Sequence, residues 1–224
     1  MIEKYAVGTA QSERVGRMLA KFLLAVLLLG GAFVLPVRAN DVVGAWQSVK
    51  APAAPELKAV TVDHRTTALL LLDFMKQNCG ARPPCVATLP AMKRLLTQAR
   101  AAKATVIYSI IANSTTADVM ADVAPIAGEP HVQAGPDKFL RSNLDAILKE
   151  KGIRTVIVSG TASNGAVLFT GAGAAFRGMN VIVPIDGMSA DDPYADYSTV
   201  FTFMNAPQVS THATLTRSDM ITFR

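Results

Sequence analysis

The chain has little cysteine, few aromatic residues and little charge. Among 224 residues there are two cysteines, aromatics make up 6%, and charged residues 17%. Two cysteines cannot build a disulfide-dense scaffold. A metal centre on them would need two further ligands, and His64, His131 and His212 stand far apart in sequence. No Lys/Arg cluster interleaves with aromatics, which argues against a nucleic-acid partner. Glycine (15) and proline (12) are too few for a collagenous or low-complexity chain, and 50% hydrophobic residues exclude wholesale disorder. The length suits one domain of ordinary size.

The net charge of +5 is unevenly placed. Residues 1–39 carry five Lys/Arg and two Asp/Glu, leaving 17 against 15 beyond them, so the body of the protein is nearly neutral. The amino end reads as an export segment. Lys21 precedes an uncharged apolar run of 14 residues over 22–35, and Val37-Arg38-Ala39 supplies a cleavage site. Such a run spans roughly 21 Å as a helix against a hydrocarbon core of ~30 Å, which favours a removable signal over an uncleaved anchor. There is no Arg-Arg pair, so the general secretory route is favoured. The expected organisation is an N-terminal extension and signal peptide over 1–39, with Met18 read as the start. An extended lead-in over 40–62 and one domain over 63–224 follow. The expected location is periplasmic or secreted, without membrane contact after signal removal. There Cys79 and Cys85, in NCGARPPC, could close a small disulfide loop; free thiols or a metal pair are the alternatives.

Strand-like and helix-like segments alternate along the rest. TALLLLD (67–73) is a continuous apolar run ending in an acid, as a buried parallel strand reads. Strands are also expected at 105–110, 154–160, 180–185 and 213–215. Helices are expected at 88–102 with Thr88 as cap, at 142–151 with Ser142 as cap and Gly152 as stop, at 166–176, and at 194–204. This alternation predicts an α/β fold, a three-layer α/β/α sandwich with a mainly parallel, Rossmann-like sheet of five or six strands. Its site should lie at the carboxyl ends of the strands, near a switch in strand order.

Three features at those ends could carry chemistry. Asp73 is a carboxylate at the rim of an apolar strand, suited to proton transfer, or it simply caps a loop. Lys138, in GPDKFLRSNLD, precedes a capped helix, where a lone lysine is commonly solvated. The small-residue turn over 160–166 could present backbone N–H groups to an anion, or merely allow close packing.

In order and spacing the three resemble the isochorismatase-like hydrolase family, also called the cysteine hydrolase superfamily. The resemblance rests on LLLLD ending at Asp73, on Lys138 with Ser142 four residues later, and on Gly160-Thr-Ala-Ser-Asn-Gly-Ala166-Val167. Arg177-Gly178, VIVPI and Asp186-Gly-Met-Ser189 extend it, so that it covers roughly 66–189. It implies a hydrolase of a small molecule, with Asp73, Lys138 and position 166 as the catalytic set. Thr161, Ala162, Asn164 and Gly165 would form the oxyanion or substrate-binding turn, with N–H groups of Ala162 and Ala166 in the oxyanion hole and a cis peptide at Thr161–Ala162. Where the family usually carries its nucleophilic cysteine, this chain has Ala166. Isochorismatases proper also lack that cysteine and use the aspartate to protonate a vinyl ether. The implied reaction is therefore acid–base hydrolysis by Asp73 and Lys138 without a covalent intermediate. The alternative is a catalytically silent protein that binds or senses a small molecule in the retained pocket. Nicotinamidases hold a metal through an Asp-x-His grouping after the second strand; here that stretch has Asp118 and Asp122 but no histidine, so no metal and no cofactor is implied. A homo-oligomer stays open.

Overall fold

A parallel sheet organises the protein, whose computed structural model describes residues 41–224. The expected export segment, 1–39, lies outside the described residues. The chain divides at Ala53/Ala54 into two units. The described part of the first, 41–53, holds one 3-10 turn, Trp46–Ser48. The second holds everything below.

In chain order its elements are β1 (Val60–Val62), β2 (Thr67–Leu72), α1 (Pro83–Ala101), β3 (Thr105–Ile110), β4 (His131–Gln133) and α2 (Leu144–Glu150). There follow β5 (Thr155–Thr161), α3 (Leu168–Phe176), β6 (Asn180–Pro184), β7 (Met188–Ser189), α4 (Pro193–Asn205), β8 (Ala213–Thr216) and β9 (Ile221–Phe223). Six strands run in the order β4-β3-β2-β5-β6-β8, every pairing parallel, and the two-residue β7 adds to the end of β5. This is the expected α/β sandwich.

The layers follow from the period of two in β2, whose six residues are all buried. Leu69 and Leu71 pack on one face with Met92, Leu95 and Leu96 of α1. Leu70 and Leu72 pack on the other with Leu144 and Leu148 of α2, Ala174 and Ala175 of α3 and Phe203 of α4. Each fully buried leucine contributes ~1.5–3 kcal/mol. The tight seam between α3 and α4 needs Gly171, since a Cβ there would stand 2.6 Å from Phe203 Cζ.

Several boundaries differ from expectation: α2 runs Leu144–Glu150 rather than 142–151, and α3 begins at Leu168 rather than at 166. α1 begins at Pro83, not Thr88, because Pro83 and Pro84 occupy its first turn, where a missing N–H costs nothing. Thr88 is no cap: its hydroxyl donates to the Cys85 carbonyl, and Pro90 sits on an exposed face inside the helix. Residues 60–62, counted with the lead-in, form β1, which pairs in parallel with β9 as a separate two-stranded sheet.

From β2 the sheet grows one way to β3 and β4, and from β5 the other way to β6 and β8. The switch in strand order therefore lies between β2 and β5, the place where open α/β sheets bind ligands outside the strands' carboxyl ends.

Candidate active site

The carboxyl ends of β2, β3 and β5 meet at that switch. Leu72 is in register with Ser109 on β3 and with Gly160 on β5. Asp73, the next residue, leaves the strand with φ 56°, a left-handed conformation that a short polar side chain tolerates better than most. Its N–H donates to the Ser109 carbonyl (3.3 Å) and to Ser109 Oγ (3.1 Å). The Ser109 hydroxyl donates back to Asp73 Oδ1 at 2.6 Å. One serine thus fixes both the backbone and the carboxylate of Asp73. Nothing in the sequence reading singled it out; its only mark is a hydroxyl inside the apolar strand TVIYSI.

Lys138 is not solvated. Its side chain is fully buried, and Nζ donates to Asp73 Oδ2 at 2.6 Å, to the Gly135 carbonyl at 2.8 Å and to the Ala134 carbonyl at 3.4 Å. Those acceptors use the three donors an ammonium has. Backbone contacts lock the residue: its N–H donates to Thr170 Oγ1 on α3 (3.2 Å), and its carbonyl accepts from the Ser142 hydroxyl. Ser142 is not the cap expected of it, since Asn143 occupies that position, but its Oγ accepts from the Leu144 N–H (3.1 Å) and so steadies the start of α2.

The third part is the turn after β5. Gly160 has φ 148°, and a Cβ there would lie 2.2 Å from the Leu72 carbonyl oxygen, so only glycine lets β5 approach β2 at this point. The Thr161–Ala162 peptide is cis, where the resemblance implied it. A π-helical turn, Ser163–Val167, follows and runs directly into α3. The Ala162 carbonyl accepts from the N–H groups of Gly165 (3.1 Å) and Val167 (3.3 Å). Thr161 Oγ1 donates to the Ser189 carbonyl (3.2 Å), and Asn164 is exposed. Ala166 is buried at 3% exposure, against 7% for Asp73 and 0% for Lys138, so the three positions are withdrawn from bulk water.

The remaining sequence candidates lie elsewhere. Cys79 and Cys85 are bonded to each other, with Cα atoms 5.1 Å apart, and tie the turn Lys76–Gly80 to the first turn of α1. Asp118 closes a capping box with Thr115, and Asp122 pairs with Lys93 at 2.9 Å. Asp186 accepts from the Ser218 amide (2.8 Å) and hydroxyl (2.7 Å) and so anchors the chain after β8. Among the described residues no three His, Cys, Asp or Glu side chains gather to hold a metal ion. A cavity of about 420 Å³ opens at the opposite, amino edge of the sheet, beside Thr66, Arg154, Thr155, Asn180 and Thr214. It holds none of the candidates.

The sequence family described as Isochorismatase domain matches residues 67–216. The chain belongs to the isochorismatase family. The match begins at the first residue of β2 and ends at the last of β8, so the family spans the whole main sheet together with the site at its switch. Solved structures of the family's fold agree. A cysteine hydrolase from Pseudomonas syringae pv. phaseolicola 1448A superposes with TM-score 0.64 at 19% identity, covering 75% of this chain and 95% of that one. An N-carbamoylsarcosine amidase from Thermoplasma acidophilum gives 0.59 at 23% identity, covering 69% and 97%. A nicotinamidase from Staphylococcus aureus gives 0.61 at 17% identity, covering 68% and 99%. No curated protein matches the chain.

Proposed function

We propose that this isochorismatase-family protein hydrolyses a small molecule by proton transfer at Asp73, assisted by Lys138, with no cysteine nucleophile. The observation that carries the reading is the 2.6 Å contact between Lys138 Nζ and Asp73 Oδ2, buried at the sheet's switch point beside the cis turn. A charged pair taken out of water costs several kcal/mol to bury, so its place at the mouth of the switch asks for a functional reason. Asp73 moves the proton: it delivers one to the substrate or takes one from the attacking water. Lys138 stabilises the carboxylate whenever the proton is away. Ser109 fixes the second carboxyl oxygen and so directs the first. N–H groups of Ala162 and Ala166 serve as the oxyanion site in this reading. Ala166, which stands where the superfamily's thiol is expected, offers no attacking atom, so water adds directly and no acyl or thioester intermediate forms.

A second reading is a binding or sensing protein. It draws on the same Ala166 and on the fact that both Asp73 oxygens are already hydrogen-bonded. A hydrolysis panel of small carboxylated ethers, amides and lactones, run beside thermal-shift measurements on the same compounds, separates the two. Turnover supports the hydrolase, whereas stabilisation by a compound that is never consumed supports the binder.

Export with cleavage after Ala39 is part of the proposal. It rests on the charged start, the apolar run and the Val-Arg-Ala sequence, and the buried Cys79–Cys85 pair suits an oxidising compartment. The intact mass of the protein from its native host tests it: a mature chain beginning near Asn40 is expected, and a full-length chain contradicts it.

A further inference from the structure

Aromatic residues are scarce in the chain, at 6%, yet five of them are exposed on two neighbouring helices. Phe169 and Phe176 of α3, and Tyr194, Tyr197 and Phe201 of α4 together with Met204, are each between 43% and 72% exposed. The two helices pack side by side, Gly171 of α3 against Phe203 of α4, and both lie on the same side of the sheet. On each helix the exposed residues share one face. Phe169 and Phe176 are seven positions apart, and the four on α4 follow at spacings of three, four and three. Charge is missing from the same face. α3 (LFTGAGAAF) has no charged residue, and α4 (PYADYSTVFTFMN) has only Asp196, whose Oδ1 is buried. α1 shows the ordinary pattern of a surface helix, with Lys93 and Arg94 on its exposed side.

We infer that a second copy of this chain docks on the outward face of α3 and α4, the two copies related by a two-fold axis. Depletion of charge with enrichment in Tyr, Phe and Met is the composition of an interface centre rather than of ordinary surface. The area agrees. An aromatic side chain presents ~150–250 Å², so five of them, each more than half exposed, leave roughly 400–600 Å² of apolar surface in water. That is half or more of the ~800 Å² that each partner gives to a standard interface. Ser198, Thr202 and Asn205 of α4 border it as the start of a polar rim. The missing charge selects the occupant. A two-fold contact sets one patch against its own copy, so an uncharged face meets itself without like-charge repulsion. The three-four-three spacing on α4 is that of a helix seam, which packs against an identical seam. A lipid surface calls for Lys or Arg flanking the apolar residues, and neither helix contains one. A charged partner would find nothing here to pair with. The inference does not depend on the hydrolase reading.

Sedimentation velocity of the protein from its native host, with thermal unfolding as a check on folding, tests this. At about 50 µM, above the micromolar end of standard interfaces, the wild type should sediment as a dimer. Tyr197→Asp combined with Phe201→Asp should raise the dissociation constant at least about 30-fold, the loss of one interface hot spot. Val86→Asp, at an exposed apolar position on α1, should leave it unchanged. A wild type that is monomeric at that concentration overturns the inference, as does a dimer that the double variant leaves intact. A monomer that floats with phosphatidylglycerol vesicles overturns it in favour of a lipid surface. Should the double variant not fold, amide exchange of the wild type across a dilution series decides: protection over 193–205 should rise with concentration while that of α1 stays constant, and a rise that is absent overturns the inference. No turnover enters the readout, so its failure is separable from failure of the hydrolase reading.

Discussion

Gly160 lies against Leu72 so closely that a single added carbon would stand 2.2 Å from the Leu72 carbonyl oxygen. That approach holds the cis turn beside Asp73, because Gly160 and Leu72 are the last register pair before the two strands release their functional residues. Gly160→Ala must push the strands apart and should cost about 3 kcal/mol or more in urea unfolding. A loss under about 1 kcal/mol would mean that the close approach is not needed.

The buried Lys138–Asp73 pair predicts strong coupling. Lys138→Met strands a carboxylate that keeps Ser109 but loses its counter-charge, and should cost about 3–5 kcal/mol. Adding Asp73→Asn should recover part of the loss, because a neutral amide no longer needs the ammonium. Denaturant titrations of the two singles and the double read this as a cycle; additive losses would refute the coupling.

Arg100 binds Glu129 through two contacts, Nε–Oε1 at 2.8 Å and Nη2–Oε2 at 2.7 Å, and also reaches Tyr108 and the Ala124 carbonyl. Burial works against ionisation of Glu129, but the Arg100 hydrogen bonds and charge prevail and hold its carboxyl below the ordinary 4.5. The pair's stabilisation is therefore present above about pH 4.5 and lost as pH falls through the lower folded value. Arg100→Met should cost about 2 kcal/mol at neutral pH and much less near pH 3, as unfolding free energies across that range would show.

Much of this was legible in the sequence. The run LLLLD reads as a doubly buried strand because a parallel strand covered on both faces has no polar alternation, and the helix-opening small residues after β5 mark a tight turn. The α1 boundary was missed because Pro83-Pro84 reads as loop until its place in a helix's first turn is known. β1 and β9 are three residues each and pair across most of the chain, so no local pattern announces them. Ser109 and the burial of Lys138 are facts of tertiary contact. A hydroxyl in a strand and a lysine in GPDK carry no such information locally.

Position 166 has a chemical test. The thiol introduced by Ala166→Cys would be the protein's only free one, since Cys79 and Cys85 are bonded. In the proposed site the helix start and the Lys138 ammonium favour its thiolate and the Asp73 carboxylate opposes it, so iodoacetamide should label it in the native fold, faster when Asp73→Asn is added. A thiol that reacts only after unfolding would make Ala166 a packing residue and favour the binding protein.

The central claim is that Asp73 moves the proton. Its most direct measurement is the hydrolysis rate of the best substrate from the small-molecule panel, compared between wild type and Asp73→Asn with folding verified by thermal unfolding. A general acid–base group contributes about 10²–10⁴-fold, so the account predicts a drop of that size with the fold intact. A hydrolysis rate unchanged by Asp73→Asn would contradict it.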